Sequence, residues 1–298
     1  MKKISILLGL LLVVTSCSEP DNLINDVLDN YTNGAVIRTI ASSGEYNFYA
    51  PAASIFTATI EEHDIENGAL MQNIEIYVSL NSGPESLYQT LQPSQFTTGP
   101  TGLPRTDISV SLGDAMATLG LSSSQYTGGD AVNISLKLNL TDGRSFGAEQ
   151  ATGSMTGSYF KSPYKYAKII KCIPLSAVPG IYRFNVADSY GDGWQGGRIA
   201  VTVDGVTTYH GMKSQYDDMG VGDNIGLEPY TGNTSSGYST LTIPEGAKIM
   251  LFEWEDDAYN SECSFKILYK ALDGSNEQTA LIQSVVSAGA KTLSICQK

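Results

Sequence analysis

Histidine is nearly missing from this chain of 298 residues, with only His63 and His210. A Ser-His-Asp or Cys-His centre would have to use one of them, and neither lies in a nucleophile-elbow or His-x-x-x-His pattern. Cations are short too: 18 Lys and Arg face 31 Asp and Glu, a net charge of −13. That balance repels phosphate backbones and anionic lipid heads, which excludes nucleic acid as a partner and a basic patch as a membrane anchor. The leading apolar run, Ile4 to Val14, is too short to span a bilayer. Acids are plentiful enough for a glycosidase-type carboxylate pair, whose separation in space sequence does not give. With no catalytic pattern to build on, the chain reads as non-enzymatic.

What is present begins with a leader. Lys2 and Lys3, the apolar run, and Val14-Thr15-Ser16-Cys17 form a basic start, a hydrophobic stretch and a small-residue site ending in Cys. The last four residues resemble a bacterial lipobox, which implies cleavage after residue 16 and a lipid on Cys17; the competing reading is an ordinary signal peptide with Cys17 as a chance thiol. Ser18-Glu19-Pro20-Asp21-Asn22 resembles the acidic tag that sends Bacteroidetes lipoproteins to the outer face of the outer membrane, with periplasmic retention as the alternative. Loss of the leader leaves 16 basic against 31 acidic residues, a charge of −15. The lipid then holds the chain at the membrane, and residues 17–34 form a flexible tether.

Beyond the tether, apolar residues recur at period 2 between turn residues: Ser54 to Glu61, Asn73 to Leu80, Thr106 to Leu112, Ala131 to Leu140. These predict strands. Asp142-Gly143 offers a tight turn into a return strand at Ser145-Phe146, and only Gly113 to Leu121 has helical spacing. Six or seven strands and one helix over 35–171 predict an antiparallel sandwich of immunoglobulin or fibronectin type. Gly34 to Ile40, Phe56 to Glu62, Ile74 to Ser79, Phe96 to Arg105 and Leu140 to Phe146 resemble lipoproteins of Flavobacteria and relatives found beside SusC/SusD-type outer-membrane transporters. That resemblance implies a setting, an accessory binding role at an outer-membrane complex, and not a chemistry.

Lys161 to Gly180 concentrates Lys and carries three Pro, so the domain boundary is placed near residue 172, in a linker crossed by few contacts. A second all-β unit over 172–298 follows, a jelly-roll-like sandwich. Its predicted strands are Gly180 to Val186, Arg198 to Val203, Val206 to Tyr209, Ser239 to Ile243, Lys248 to Trp254, Cys263 to Tyr269 and Thr292 to Cys296, with His210 to Gly237 as a long surface loop. Cys263, Phe265 and Ile267 share one strand face, which makes Cys263 a small buried apolar residue. Cys172 and Cys296 remain, near the two ends of this half, and are expected to form a disulfide.

The densest signal is Asp188-Ser189-Tyr190-Gly191-Asp192-Gly193-Trp194-Gln195-Gly196-Gly197. Four glycines in ten residues fit neither a helix nor a strand interior. With Trp254-Glu255-Asp256-Asp257-Ala258-Tyr259-Asn260-Ser261-Glu262 it resembles a β-sandwich module of secreted and surface proteins of Bacteroidetes and other microbes. There a DSYGDGWNG loop is answered by Trp-x-x-Gly-x-Tyr-Asp-Ser-Glu. Asp257 and Asn260 depart from that pattern, at a Gly and an Asp. The oxygens of Asp188, Asp192, Asn260 and Glu262 suit Ca²⁺, with glycines that let carbonyls turn inward. It is not an EF-hand, since Tyr190 and Ile199 stand where the third and twelfth positions need oxygens. The alternative assigns the aspartates to turn-forming bonds and both tryptophans to the core. Tyr209, Tyr216, Tyr230, Tyr238 and Tyr259 give a second expectation, a glycan-binding or adhesive surface on this sandwich, with Trp194 and Tyr259 as contacts.

Overall fold

The computed structural model describes residues 31–157, 160–212, 214, 235–256 and 258–297. Cys17 and its leader, Tyr216, Tyr230, Asp257 and most of the 210–237 segment lie outside them. Ten strands make the first unit: β1 (Val36–Ser43), β2 (Tyr46–Asn47), β3 (Ile55–His63), β4 (Met71–Leu80), β5 (Ser86–Leu91), β6 (Thr97–Thr98), β7 (Pro104–Ser111), β8 (Ala131–Leu140), β9 (Ser145–Phe146) and β10 (Lys165–Lys171). One sheet is ordered β1-β3-β7-β6 and the other β2-β10-β8-β4-β5, with β9 on β8. Lettered along the chain, these are A-B-E-D against C′-C-F-G, the immunoglobulin arrangement. The pleat explains the facing: Val132, Ile134, Leu136, Leu138 and Leu140 of β8 fall on one side and are all buried. They meet Phe56, Ala58 and Ile60 of β3 and Ile108 and Val110 of β7 in one core.

The helical spacing after β7 yields helix α1 (Leu112–Thr118). Ser111 caps it, its hydroxyl accepting from the Asp114 amide at 3.0 Å, and Leu112, Ala115 and Met116 turn one stripe into the core. A second helix, α2 (Gly153–Thr156), is a single turn.

The second unit has eight strands: β11 (Gly180–Asp188), β12 (Arg198–Val203), β13 (Val206–His210), β14 (Ser236–Ile243), β15 (Met250–Glu255), β16 (Cys263–Lys270), β17 (Gln278–Gln283) and β18 (Gly289–Ala290). They form two antiparallel sheets, β14-β11-β16-β17 and β13-β12-β15-β18. Tyr182, Phe184 and Val186 alternate inward from β11 and pack with Ile199, Phe252, Trp254 and Ile267. The chain is therefore all-β, two antiparallel sandwiches, and no described helix is long and apolar enough to cross a membrane.

Three expectations need correction. Lys161 to Gly180 is not simply a linker: its middle is β10, paired with β8 from Lys165↔Ser135 to Ile169↔Ala131. Of its lysines, Lys165 is exposed, Lys168 lays its Nζ over the Phe56 ring at 4.9 Å and Lys171 pairs with Glu45. Thr292 to Cys296 is not a strand either. Its backbone makes isolated bonds and no ladder, among them Ser294 N to Ala280 O at 2.9 Å and Ile295 N to Cys172 O at 2.7 Å, on the path that brings Cys296 to Cys172.

The junction, too, is more than a linker. Cys172 and Cys296 form a disulfide, and Cys263 is buried and outside any disulfide. The Tyr49 hydroxyl in the first unit donates to the Ile295 carbonyl at 2.9 Å and accepts from the Gln297 amide at 2.6 Å. Asn47 is bonded in both directions to the backbone of Ile173, at 2.9 and 3.0 Å. Gly128 packs onto the disulfide so closely that a Cβ there would lie 2.2 Å from Cys172 Sγ and 2.4 Å from Cys296 Sγ. Gly128→Ala is therefore expected to destabilise by about 1–3 kcal/mol, the cost of overpacking a filled site. Thermal unfolding measures it, and reduction, which frees the sulfurs to separate, should shrink the deficit.

Candidate cation-binding loop pair

Strand β11 ends on Asp188, which is 5% exposed and pairs with Cys263 at the head of β16. One carboxylate oxygen, Oδ1, accepts from the amides of Tyr190 at 2.7 Å and Gly191 at 3.1 Å, so the chain turns at once. Gly191, Gly193 and Gly196 follow with φ of 96°, 89° and 128°, the left-handed region that favours glycine. The loop then dives inward. Trp194 is 1% exposed, its Nε1 donates to the Ala187 carbonyl at 3.1 Å, and its ring meets Trp254 edge-on with centroids 4.9 Å apart. With the indole inside, Asp192 is carried back toward Asp188.

The answering loop is built around Trp254. Its Nε1 donates to Asn260 Oδ1 at 2.9 Å, and Asn260 Nδ2 donates to Asp256 Oδ1 at 2.9 Å. A backbone bond from Ser189 N to Glu262 O at 3.0 Å ties the loops together, and Asp188 N to Ser235 O at 2.9 Å adds the start of the segment into β14. The result brings one oxygen each of Asp188, Asp192 and Glu262 within 4.8 Å of one another. Oxygens on a common Ca²⁺ at about 2.3–2.6 Å lie at most about 5 Å apart, so the spacing suits such an ion. Gln195 Nε2 donates to Asp192 Oδ1 at 2.6 Å and orients that carboxylate. The remaining oxygen of Asp188, Oδ2, is buried without a hydrogen-bond partner among the described residues.

Asp188, Asp192 and Glu262 are the three carboxylates expected from the sequence. Asn260, expected as a fourth oxygen donor, lies in the answering loop, where its amide bonds Trp254 and Asp256 and positions that loop. Trp194 was expected as a ligand contact and is instead core, because its indole has to fill the end of the sandwich. Tyr259 is half-exposed at 52%, and Tyr190, which sequence reasoning passed over, is 76% exposed beside the acidic group. Its position between two turn-forming residues was the available signal, since no pleat directs a side chain inward there.

Other ionisable groups are accounted for locally. His210 was expected in a surface loop, but it closes β13 and is buried. Its ring stacks on Phe184 at 4.0 Å, Nδ1 bonds Ser239 Oγ at 2.8 Å, and Nε2 faces Thr208 Oγ1 at 3.3 Å. Burial holds its pKa down to about 4, so it is neutral at pH 7. Ser239 is itself fully buried, which denies this Ser–His contact a substrate. His63 is exposed at the end of β3, whereas its neighbours Glu62 and Asp64 are buried. Asp64 accepts the amides of Glu66, Gly68 and Leu70 at 2.7–2.9 Å.

No family model matches the chain, and no curated protein matches it significantly.

Glu62 gives a pH-dependent expectation. Both its oxygens are buried without partners among the described residues. Burial first, and the charge of Asp64 second, push its pKa from 4.5 up to about 8. A raised carboxyl pKa means the folded state retains a proton that the unfolded chain releases. The associated stability is whole below about pH 4.5 and is lost as pH rises through about 8. Unfolding free energy should fall across that window by roughly 1.4 kcal/mol per pH unit at most, and the melting temperature with it. Glu62→Gln, which keeps the shape without the titration, should flatten the profile.

Proposed function

We propose that this chain is a non-enzymatic lipoprotein, anchored through Cys17 on the outer face of the outer membrane, that acts as an accessory binding subunit of a SusC/SusD-like transporter or a related outer-membrane complex. Its second sandwich carries a structural Ca²⁺ on Asp188, Asp192 and Glu262. The observation that carries the cation reading is Asp188 Oδ2. A buried carboxylate oxygen with no donor is costly, and two further carboxylates beside it raise that cost unless a cation offsets all three. Side-chain and carbonyl oxygens on a Gly-rich loop fit the flexible coordination of Ca²⁺ better than the strict octahedron of Mg²⁺. The ion would pin the two loops and stabilise the folded state by mass action.

The non-enzymatic part is supported by the local engagement of His210 and by a Ser239 that no substrate can reach. The anchored part is supported by Val14-Thr15-Ser16-Cys17 and by an acidic chain with no basic patch to hold it at a membrane. The hydrogen-bonded junction at Tyr49 and Asn47 suits an accessory subunit, since it fixes one binding unit relative to the other.

Growth with labelled palmitate tests the anchor, and detergent co-purification tests the assembly. Label should enter the wild-type chain and be lost in Cys17→Ala, and the wild type should retain an outer-membrane transporter component through purification. A wild-type chain without label, or one recovered alone, would contradict the respective half of the proposal.

A further inference from the structure

The outer face of β14-β11-β16-β17 carries a row of side chains directly opposite one another. Tyr238 of β14 pairs with Asn185 of β11, Asn185 with Lys266 of β16, and Lys266 with Ile282 of β17. Inward residues of these strands fill the core, so the intervening ones stand on the other face. Arg183, two residues before Asn185, lays its guanidinium over the Tyr238 ring at 4.0 Å. Together with Gln283 these residues line a groove of about 770 Å³, the size of a site for a short oligomer.

Charge identifies the occupant. The chain has 31 acidic residues against 18 basic ones, yet the described residues lining this groove include two cations and no carboxylate. Neither Arg183 nor Lys266 forms an ion pair among the described residues. Two amides and three serine hydroxyls add neutral hydrogen-bonding groups to the Arg–Tyr platform, beside apolar Val186, Ala187 and Phe265 and a 60% exposed Ile282. Backbone amides and carbonyls lie in the plane of the sheet and not on its face, so recognition within the groove falls to side chains. Stacking surface, dispersed neutral donors and acceptors, and two cations match a sugar ring bearing an anionic group.

We infer that this groove binds an acidic glycan, a uronate-containing oligosaccharide, with Tyr238 and Arg183 under a ring, Lys266 and Arg183 on its carboxylates, and Asn185 and Gln283 on its hydroxyls. The inference rests on the binding role proposed above for its biological meaning, and on neither the anchor nor the cation.

Titration calorimetry of the full chain with oligogalacturonate is the test, with maltooligosaccharide and polyglutamate as neutral and peptidic controls. Saturable binding of oligogalacturonate alone is expected, weakened by added salt and reduced about tenfold or more in the Arg183→Gln, Lys266→Gln double variant. Both positions are on the solvent face, and a matched melting temperature checks that the variant is folded. Tyr238→Ala should weaken binding independently of charge. Absence of oligogalacturonate binding overturns the inference. Equal binding of maltooligosaccharide overturns the role of charge, and equal binding of polyglutamate replaces the glycan by an acidic peptide. Loss of Ca²⁺ response in Asp192→Ala with glycan binding intact separates this site from the cation site.

Discussion

The edge-on contact of Trp194 with Trp254 organises the loop end of the second sandwich. The two indoles come from different loops, one after β11 and one at the end of β15, and both are almost fully buried. Each also uses its N–H inside its own loop, on Ala187 O and on Asn260 Oδ1. Burying two large amphipathic rings at one place decides where both chains must run. The glycines at 191, 193 and 196 follow from that demand, since the chain between Asp188 and Arg198 must reverse tightly to deliver Trp194 inward. The proximity of Asp188, Asp192 and Glu262 is then a consequence of hydrophobic packing and not of any attraction between them.

Buried carboxylates are treated in three different ways. Glu61 is fully buried but receives Arg38 at 2.6 Å, Arg105 at 2.7 Å and Thr101 at 2.6 Å. Burial alone would raise its pKa, and these donors and cations hold it below the usual carboxylate range. Its neighbour Glu62, on the opposite side of the same strand, has no such partners and keeps its proton well into neutral pH. Asp188 is intermediate. One oxygen is satisfied by two amides, the other has no hydrogen-bond partner among the described residues, and the carboxylates of Asp192 and Glu262 lie within 4.8 Å of this one. Protonation resolves the first unsatisfied case, and a cation is the natural resolution of the second.

Much of this was legible from periodicity. The strand Ala131–Leu140 alternates so regularly that its bounds were read directly, and the bounds of Arg198–Val203 were read from its β-branched composition between turn residues. Legibility failed where one signal stood for two causes. Lysines at 165, 168 and 171 looked like a linker, yet Lys165 alone is exposed, while Lys168 covers the Phe56 ring and Lys171 pairs with Glu45. Thr292 to Cys296 has strand composition, yet the reach to Cys172 decides its path. At the loop pair, residue types identified the carboxylates, but not that Asn260 would be spent on an indole N–H, since the partner lies six residues away around a turn. The Tyr238–Asn185–Lys266–Ile282 row could not be read at all, because it exists only through the register of four strands distant in sequence.

The central proposal is that the three carboxylates, placed together by the packing of the two indoles, hold a divalent cation. Scanning calorimetry of the full chain in Ca²⁺ and in EDTA, for wild type and Asp192→Ala, addresses it most directly. The account expects a higher melting temperature in Ca²⁺ than in EDTA for the wild type, rising with Ca²⁺ concentration, and little difference in the variant. A wild-type melting temperature that is the same in both would contradict it and leave the loop as a glycine-rich turn held by its own aspartates.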